Sequence, residues 1–402
     1  MIHRRLVIAG GGPAGMMAGL LFARAGVETL VLEKHGDFLR DFRGDTVHPS
    51  TVALFDELGL ADALFQRPHD AVTDISARIG GERFRIADLS RLPVRHKLMM
   101  MMPQWEFLDF VRDEAARYPA FALRMDAEAV GLVEERGRVA GVTLADGEAI
   151  GADLVIAADG RGSVLRAAAG LPLENLGAPI DVFWFRVPRQ RTEKNETMGQ
   201  FSPGTVIAMI DRGDYWQCAF VFGKGGADKI RSDGLDAFKQ RVAAAVPEIA
   251  EQLGAISSWD DIKLLSVTLD RLTRWHRPGL LAIGDAAHAM SPVGGVGINL
   301  AIQDAVAAAN ILAVPLSHGE RVDRLLSEVQ ARRMLPVRVI QGMQRRVHAN
   351  ILGPMLGASV QMKPPAAVRL IGRCPMLQGI VARIVGLGVR REHIRSPQFN
   401  RS

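Results

Sequence analysis

Three glycines, three acids and a second glycine cluster are the residues here whose types and spacing could do chemistry. Gly10, Gly12 and Gly15, within Gly10-Gly11-Gly12-Pro13-Ala14-Gly15, occupy the three glycine positions of a G-x-G-x-x-G turn. The first glycine of such a turn permits the tight bend, the second lets backbone approach a pyrophosphate, and the third lets a helix pack on a strand. Glu33, followed by Lys34, comes about 20 residues later, where a carboxylate can accept from the ribose of the same dinucleotide. Asp159-Gly160 and Gly284-Asp285 each end a further apolar run with an acid. Pro292, Gly294, Gly295 and Gly297 leave backbone bare of side chains, so that a flat ring can lie against it. His48, in Asp45-Thr46-Val47-His48-Pro49, is the candidate general base, because imidazole ordinarily titrates near neutrality.

These residues need elements to hold them. Leu6-Val7-Ile8-Ala9 is a short apolar run of the kind that makes a buried parallel strand. Residues 16–24 then read as a helix, with Gly19 on its sheet side, and its N-terminus would place free N–H groups under the phosphates. Thr29–Leu32 is the second strand, ending at Glu33. Residues 153–158 and 279–283 are two more buried strands, and Ser163 is placed to cap a helix after the first of them. A helix is expected from about Ile298 through Ile311, its positive end aimed at the bare backbone before it. The glycine turn alone leaves NAD and FAD equally open.

A chain of 402 residues exceeds one ordinary core, so two joined domains are expected. Its two cysteines are too few for a disulfide scaffold and form no metal cluster; a reducing cytoplasm fits. Neither a secretory signal nor a run of 18 uncharged apolar residues occurs. The net charge of +5 conceals an asymmetry: residues 329–402 hold thirteen Lys or Arg and one acid, Glu392. The basic tail is expected to be neutralised internally or at a homodimer interface, with contact to an anionic membrane the less favoured reading. No nucleic-acid motif stands out.

Taken in order and spacing, the turn at Gly10 to Gly15, Asp159-Gly160 and Gly284-Asp285 resemble the flavoprotein aromatic hydroxylases, the family of para-hydroxybenzoate hydroxylase and the ubiquinone-biosynthesis hydroxylases. The resemblance implies FAD as cofactor, with Asp285 on the ribityl chain and Asp159 near the pyrophosphate and a nicotinamide groove. It implies that backbone from Pro292 to Asn299, including Gly295, Gly297 and Ile298, lines the flavin ring. Arg43 matches the family's arginine over the flavin. Gln104 matches its glutamine near the ribityl and phosphate region, although Pro103 stands where the family usually has arginine. Pro13, Ala14 and Val130 complete the expected cofactor contacts. The fold implied is α/β: a Rossmann-like FAD-binding domain (1–72, 97–178 and 271–312), an interleaved β-sheet substrate domain (73–96 and 179–270), and a basic helical segment (313–402). The activity implied is hydroxylation of a phenolic or heteroaromatic small molecule through a flavin hydroperoxide, using O2 and a transient NAD(P)H. The alternatives are a reductase or dehydrogenase acting on an isoprenoid or other lipid, and a non-catalytic flavoprotein.

In the substrate region a hairpin is expected around Gly80-Gly81, and strands near 181–187, 205–210, 215–222 and 262–270. Phe183, Trp184, Phe185, Met209, Trp216 and Phe220 supply aromatic and soft surface on that sheet. The four methionines at 99–102 suit either an adaptable pocket wall or a buried strand. Arg186 and Arg212 are candidates to hold a carboxylate, and His288 is expected to pack or hydrogen-bond beside Asp285. In the tail, residues 375–387 place Leu377, Ile380, Val381, Ile384 and Val385 on one helical face, expected to pack back on the cofactor domain.

Overall fold

The computed structural model describes residues 2–39, 46–189, 198–358 and 364–399. Ile2–Ala9 is the central strand of the first sheet, flanked by Thr29–Leu32 on one side and Ala149–Ala157 on the other, all parallel. Leu280–Ala282 and Phe121–Arg124 extend it in the same direction. Leu6, Val7, Ile8, Leu154, Val155 and Ile156 are fully buried, which is why these strands read as unbroken apolar runs. Helix Pro13–Arg24 lies against this sheet. A Cβ at Gly19 would fall 2.7 Å from Val31 and 2.9 Å from Phe121, so the small residue sets the helix-to-sheet approach. Two long helices follow, Gly297–Ser317 and Leu326–Val347. The first has the length and hydropathy of a membrane span, but most of it is buried in the core.

The second sheet runs in the order Lys263–Leu265, Ile180–Pro188, Tyr215–Gly223, Thr205–Asp211, Met198–Ser202, Asp74–Ile79 and Glu82–Asp88. The hairpin at Gly80-Gly81 and three of the expected strands are present. Residues 262–270 do not form one strand: Lys263–Leu265 joins this sheet, whereas Asp270–Leu272 pairs with Leu173–Asn175 between the two sheets. Alternation along the strands separates two faces. The outer face carries Phe183, Phe185, Met209, Trp216 and Phe220, packed on Phe238 of helix Leu235–Ala245. The inner face carries Val182, Trp184, Val206, Ala208 and Ala219, packed toward Val293, Leu352 and Met355. Of the aromatic residues expected on the sheet, only Trp184 therefore turns inward. The methionine run is a buried strand, Met99–Met101, between Thr46–Val47 and Asp70–Val72.

The last residues of the chain fold back onto the beginning of the tail and onto the body. Glu392 pairs with Arg332 at 2.7 Å and with Arg333 at 3.3 Å, and His393 with Glu57 at 2.6 Å. Helix Pro375–Ala382 gives way to a π-helical turn, Arg383–Leu387. Of the expected apolar face, Val381, Ile384 and Val385 pack against the core, with Gln378, Ala382 and Leu387 buried beside them, while Ile380 is exposed.

Candidate active site

The glycine turn is built as its spacing requires. Gly10 has φ +109°, and a Cβ there would lie 2.3 Å from the Ala158 carbonyl oxygen; at Gly15 it would lie 1.9 Å from that of Gly10. A Cβ at Gly12 would meet nothing within 4 Å. The outer glycines are thus demanded by packing, whereas Gly12 opens onto space from which a pyrophosphate can reach backbone. Helix Pro13–Arg24 starts at that point, its first N–H groups unspent within the helix. Glu33, nearly buried at the end of its strand, accepts from Gly11 N–H at 2.9 Å and from His35 N–H at 3.1 Å. Lys34 is exposed beside it. Ala127 N–H donates to the Glu33 carbonyl, which brings in the chain leading to Val130, 40% exposed on the strand Ala129–Glu135.

Asp159 sits against this turn, its backbone within 3 Å of where a Gly10 Cβ would be. Its carboxylate accepts from Ser163 Oγ at 2.5 Å and from Leu165 N–H at 3.2 Å, so the side chain organises the start of the helix Val164–Ala168. Asp285 accepts from Arg161 Nε at 2.9 Å and keeps its other oxygen clear of protein partners among the described residues. Arg161 Nη1 is buried and also unpartnered there. Arg161 was not singled out by sequence reasoning, although it follows the Asp159-Gly160 pair directly.

The segment from Pro292 to Asn299 is fixed from behind. Thr46 Oγ1 donates to the Gly295 carbonyl at 3.0 Å. Asn299 Oδ1 accepts from His48 N–H at 2.9 Å and Thr51 Oγ1 at 2.7 Å, while Nδ2 donates to the Thr46 and Gly295 carbonyls. The Asn299 amide is spent on protein, so its part in a ring site is to hold backbone rather than to touch a ligand. Gly294 and Gly295 have φ +83° and +62°, and Gly297 opens helix Gly297–Ser317. Gln104 begins helix Gln104–Ala115, three residues beyond Met101, which pairs with Thr46; the strand pairing thus brings it toward this segment. Arg43 lies outside the described residues.

His48 does not fit the expectation of a base tuned to neutral pH. It is fully buried, and burial pushes its pKa down to about 4 despite a 2.8 Å hydrogen bond between Nδ1 and the Val385 carbonyl. It is a neutral imidazole that ties the tail's π-turn to the ring-lining segment. His288 belongs to a buried network: Nε2 donates to Asp304 Oδ2 at 2.5 Å, and Arg333 Nε donates to Asp304 Oδ1 at 2.9 Å. Gly284 N–H also donates to Asp304, so the network carries the Gly284-Asp285 turn. Burial raises the pKa of Asp304, but His288 and Arg333 outweigh it and hold the carboxyl below its ordinary range. Ser291 Oγ meets His348 Nε2 at 2.9 Å at the other end of the segment. The two arginines considered for a carboxylate both border Gln217: Arg186 lies opposite it on the neighbouring strand, exposed over the Tyr215 ring, and Arg212 Nε donates to its Oε1.

An FAD fits this set. The open space at Gly12 can take the pyrophosphate, the free Asp285 oxygen and the buried Arg161 N–H can take hydroxyl or phosphate groups, and bare backbone at 294–297 can take a flat ring.

The chain matches the FAD binding domain family over residues 4–342. It is 33% identical to 6-methylpretetramide 4-monooxygenase of Streptomyces rimosus, over 99% of this chain and 95% of that protein. It is 26% identical to 3-demethoxyubiquinol 3-hydroxylase of Escherichia coli, covering 82% of this chain and 85% of that one. Among solved structures, PqsL of Pseudomonas aeruginosa, described as a probable FAD-dependent monooxygenase, superposes with a TM-score of 0.75 at 21% identity, over 88% of this chain and 98% of that one. That likeness speaks to the fold. With the family match and the near full-length relative, the chain belongs to the FAD binding domain family and is an FAD-dependent monooxygenase.

Proposed function

We propose that this enzyme hydroxylates an aromatic small molecule, phenolic or heteroaromatic, consuming one NAD(P)H and one O2 per turnover. One oxygen atom would enter the ring in place of hydrogen, and the other would leave as water with the two electrons of NAD(P)H. The observation that carries this reading is that Val293, in the ring-lining segment, belongs to the same apolar cluster as the inner face of the second sheet, with Leu352 and Met355. A planar substrate there would lie between an apolar sheet and the cofactor's ring, away from water, as oxygen insertion requires. The names of the relatives, among them the pretetramide monooxygenase and the ubiquinol hydroxylase, support the same reading.

When bound, FAD would supply the electron transfer and the activation of oxygen, and the protein would supply position and electrostatics. Gly12 and the first turn of Pro13–Arg24 would hold the pyrophosphate, with Glu33, Lys34 and Val130 toward the adenosine. Asp285, Arg161 and Gln104 would hold the middle of the cofactor. The N-terminus of Gly297–Ser317 would place partial positive charge against the ring. Residues 1–72, 97–178 and 271–312 would form this cofactor domain, and 73–96 with 179–270 the substrate domain. NAD(P)H would visit transiently, since no second glycine fingerprint follows the first.

The test is a panel of phenols, pyridines and quinone precursors, scored for accelerated oxidation of NADPH and NADH with and without O2. The proposal expects at least one ring compound to accelerate flavin reduction, and sustained turnover only when O2 is present. Equal turnover under anaerobic conditions on a reducible lipid would assign the enzyme to reductases instead.

A further inference from the structure

Two hydrogen-bond donors stand unpaired on the inner face of the second sheet. Trp184 lies directly opposite Ala219, and Arg186 opposite Gln217, so Trp184 and Gln217 are diagonal neighbours on one face, within reach of long side chains. Ala219 in turn lies opposite Ala208, which leaves small side chains beside the indole. Gln217 is 3% exposed, and its Oε1 accepts from Arg212 Nε at 3.1 Å. A guanidinium can only donate, so the amide oxygen must face Arg212 and the amide nitrogen must face away. That nitrogen, Nε2, is buried without a partner among the described residues, and so is Trp184 Nε1. Both atoms are donors, and neither is offered an acceptor. Buried polar groups are nearly always hydrogen-bonded, so two such donors on one wall mark a place for an acceptor from outside the protein.

We propose that Trp184 and Gln217 determine specificity by donating to one oxygen of the substrate, a ring carbonyl or an ionised ring hydroxyl. This rests on the reading that the substrate lies between the inner face and the ring-lining segment. Two donors with no acceptor discriminate against bare hydrocarbons, which would leave both buried N–H groups unpaired, and against groups that can only donate. They also favour a phenol in its ionised form, since hydrogen bonds to the charged state lower its pKa. The electron-rich phenolate is the form that hydroxylation needs. Its proton would then pass to solvent as the ligand enters, a step that makes no demand on the buried, neutral His48.

The experiment uses the FAD-loaded enzyme without NAD(P)H and titrates matched pairs against the flavin spectrum: phenol with benzene, 2-naphthol with naphthalene, and 2-anthrol with anthracene. At least one oxygen-bearing member is expected to bind tenfold or more tightly than its hydrocarbon. Trp184→Phe and Gln217→Leu should each cut that ratio severalfold while flavin content stays unchanged. On the unaltered enzyme, the bound hydroxyarene should ionise at a lower pH than it does free, which keeps the idea testable if a variant fails to fold. No preference for oxygen in any pair, or a preference that survives both substitutions, overturns the proposal. Because no turnover is involved, it can fail while the monooxygenase reaction stands, and the reverse holds too.

Discussion

Replacing Asp304 by Asn removes one charge from the fully buried set of His288, Asp304 and Arg333 and leaves the shape nearly unchanged. Breaking a buried pair by deleting one partner typically costs about 3–5 kcal/mol, since the remaining charge stays out of water. Glu392 still sits 3.3 Å from Arg333, so the lower end applies, roughly 3 kcal/mol. With an unfolding entropy near 2.1 cal/mol/K per residue over 402 residues, that is a fall in Tm of about 4 °C. Differential scanning calorimetry of both proteins measures it. The pH dependence adds a second reading. A carboxyl held below its ordinary pKa stabilises the fold above the unfolded value, about 3.9, and loses that effect as pH falls through the folded value. The gap in Tm between wild type and Asp304→Asn should therefore hold steady at neutral pH and close below about pH 4. Adding Arg333→Met to the same chain should recover part of the loss, because an apolar replacement removes the stranded charge. A Tm for Asp304→Asn within about 1 °C of wild type at pH 7 would refute the reasoning that this network is held by charge.

Gly12→Ala should leave the apoprotein's melting unchanged, because its Cβ points into open space, yet weaken FAD binding by about tenfold or more, measured by equilibrium dialysis. Gly15→Ala should damage both, since its Cβ would collide with the Gly10 carbonyl at 1.9 Å. Asp285→Ala should yield protein without its yellow colour, and full retention of flavin would remove Asp285 from the cofactor site. His48 is folded with a pKa of about 4 against an ordinary 6.5, so the unfolded chain binds its proton first as pH falls. It should therefore cost roughly 3 kcal/mol of stability between about pH 6.5 and 4, a slope that His48→Gln should abolish in denaturant titrations.

The parts legible in the sequence were those written into short, local patterns. A buried parallel strand must be an apolar run, and a turn that meets a phosphate must be glycine, so the cofactor cradle could be read from residues 6–33. The hairpin at Gly80-Gly81 was legible for the same reason. Which face of the second sheet turns inward was not, because every strand alternates and only the helix carrying Phe238 decides which side it covers. The sequence reading placed Phe183, Phe185 and Trp216 together with Trp184, and the pleat separated them. His48 read as a base because residue type shows nothing of burial, and its partner Val385 lies 337 residues away. The Asp304 and Arg333 network was likewise invisible locally. Glu392, the single acid among the thirteen bases of residues 329–402, pairs with two of those bases, Arg332 and Arg333, and so closes the end of the tail onto its beginning.

The most direct test of the central claim is the fate of molecular oxygen. The FAD-loaded enzyme is given NAD(P)H, an aromatic compound that accelerates flavin reduction, and 18O2, and the product is analysed by mass spectrometry. The account predicts one 18O atom per product molecule and one NAD(P)H oxidised for each. A product whose added oxygen comes from water, or turnover that proceeds undiminished without oxygen, would contradict it.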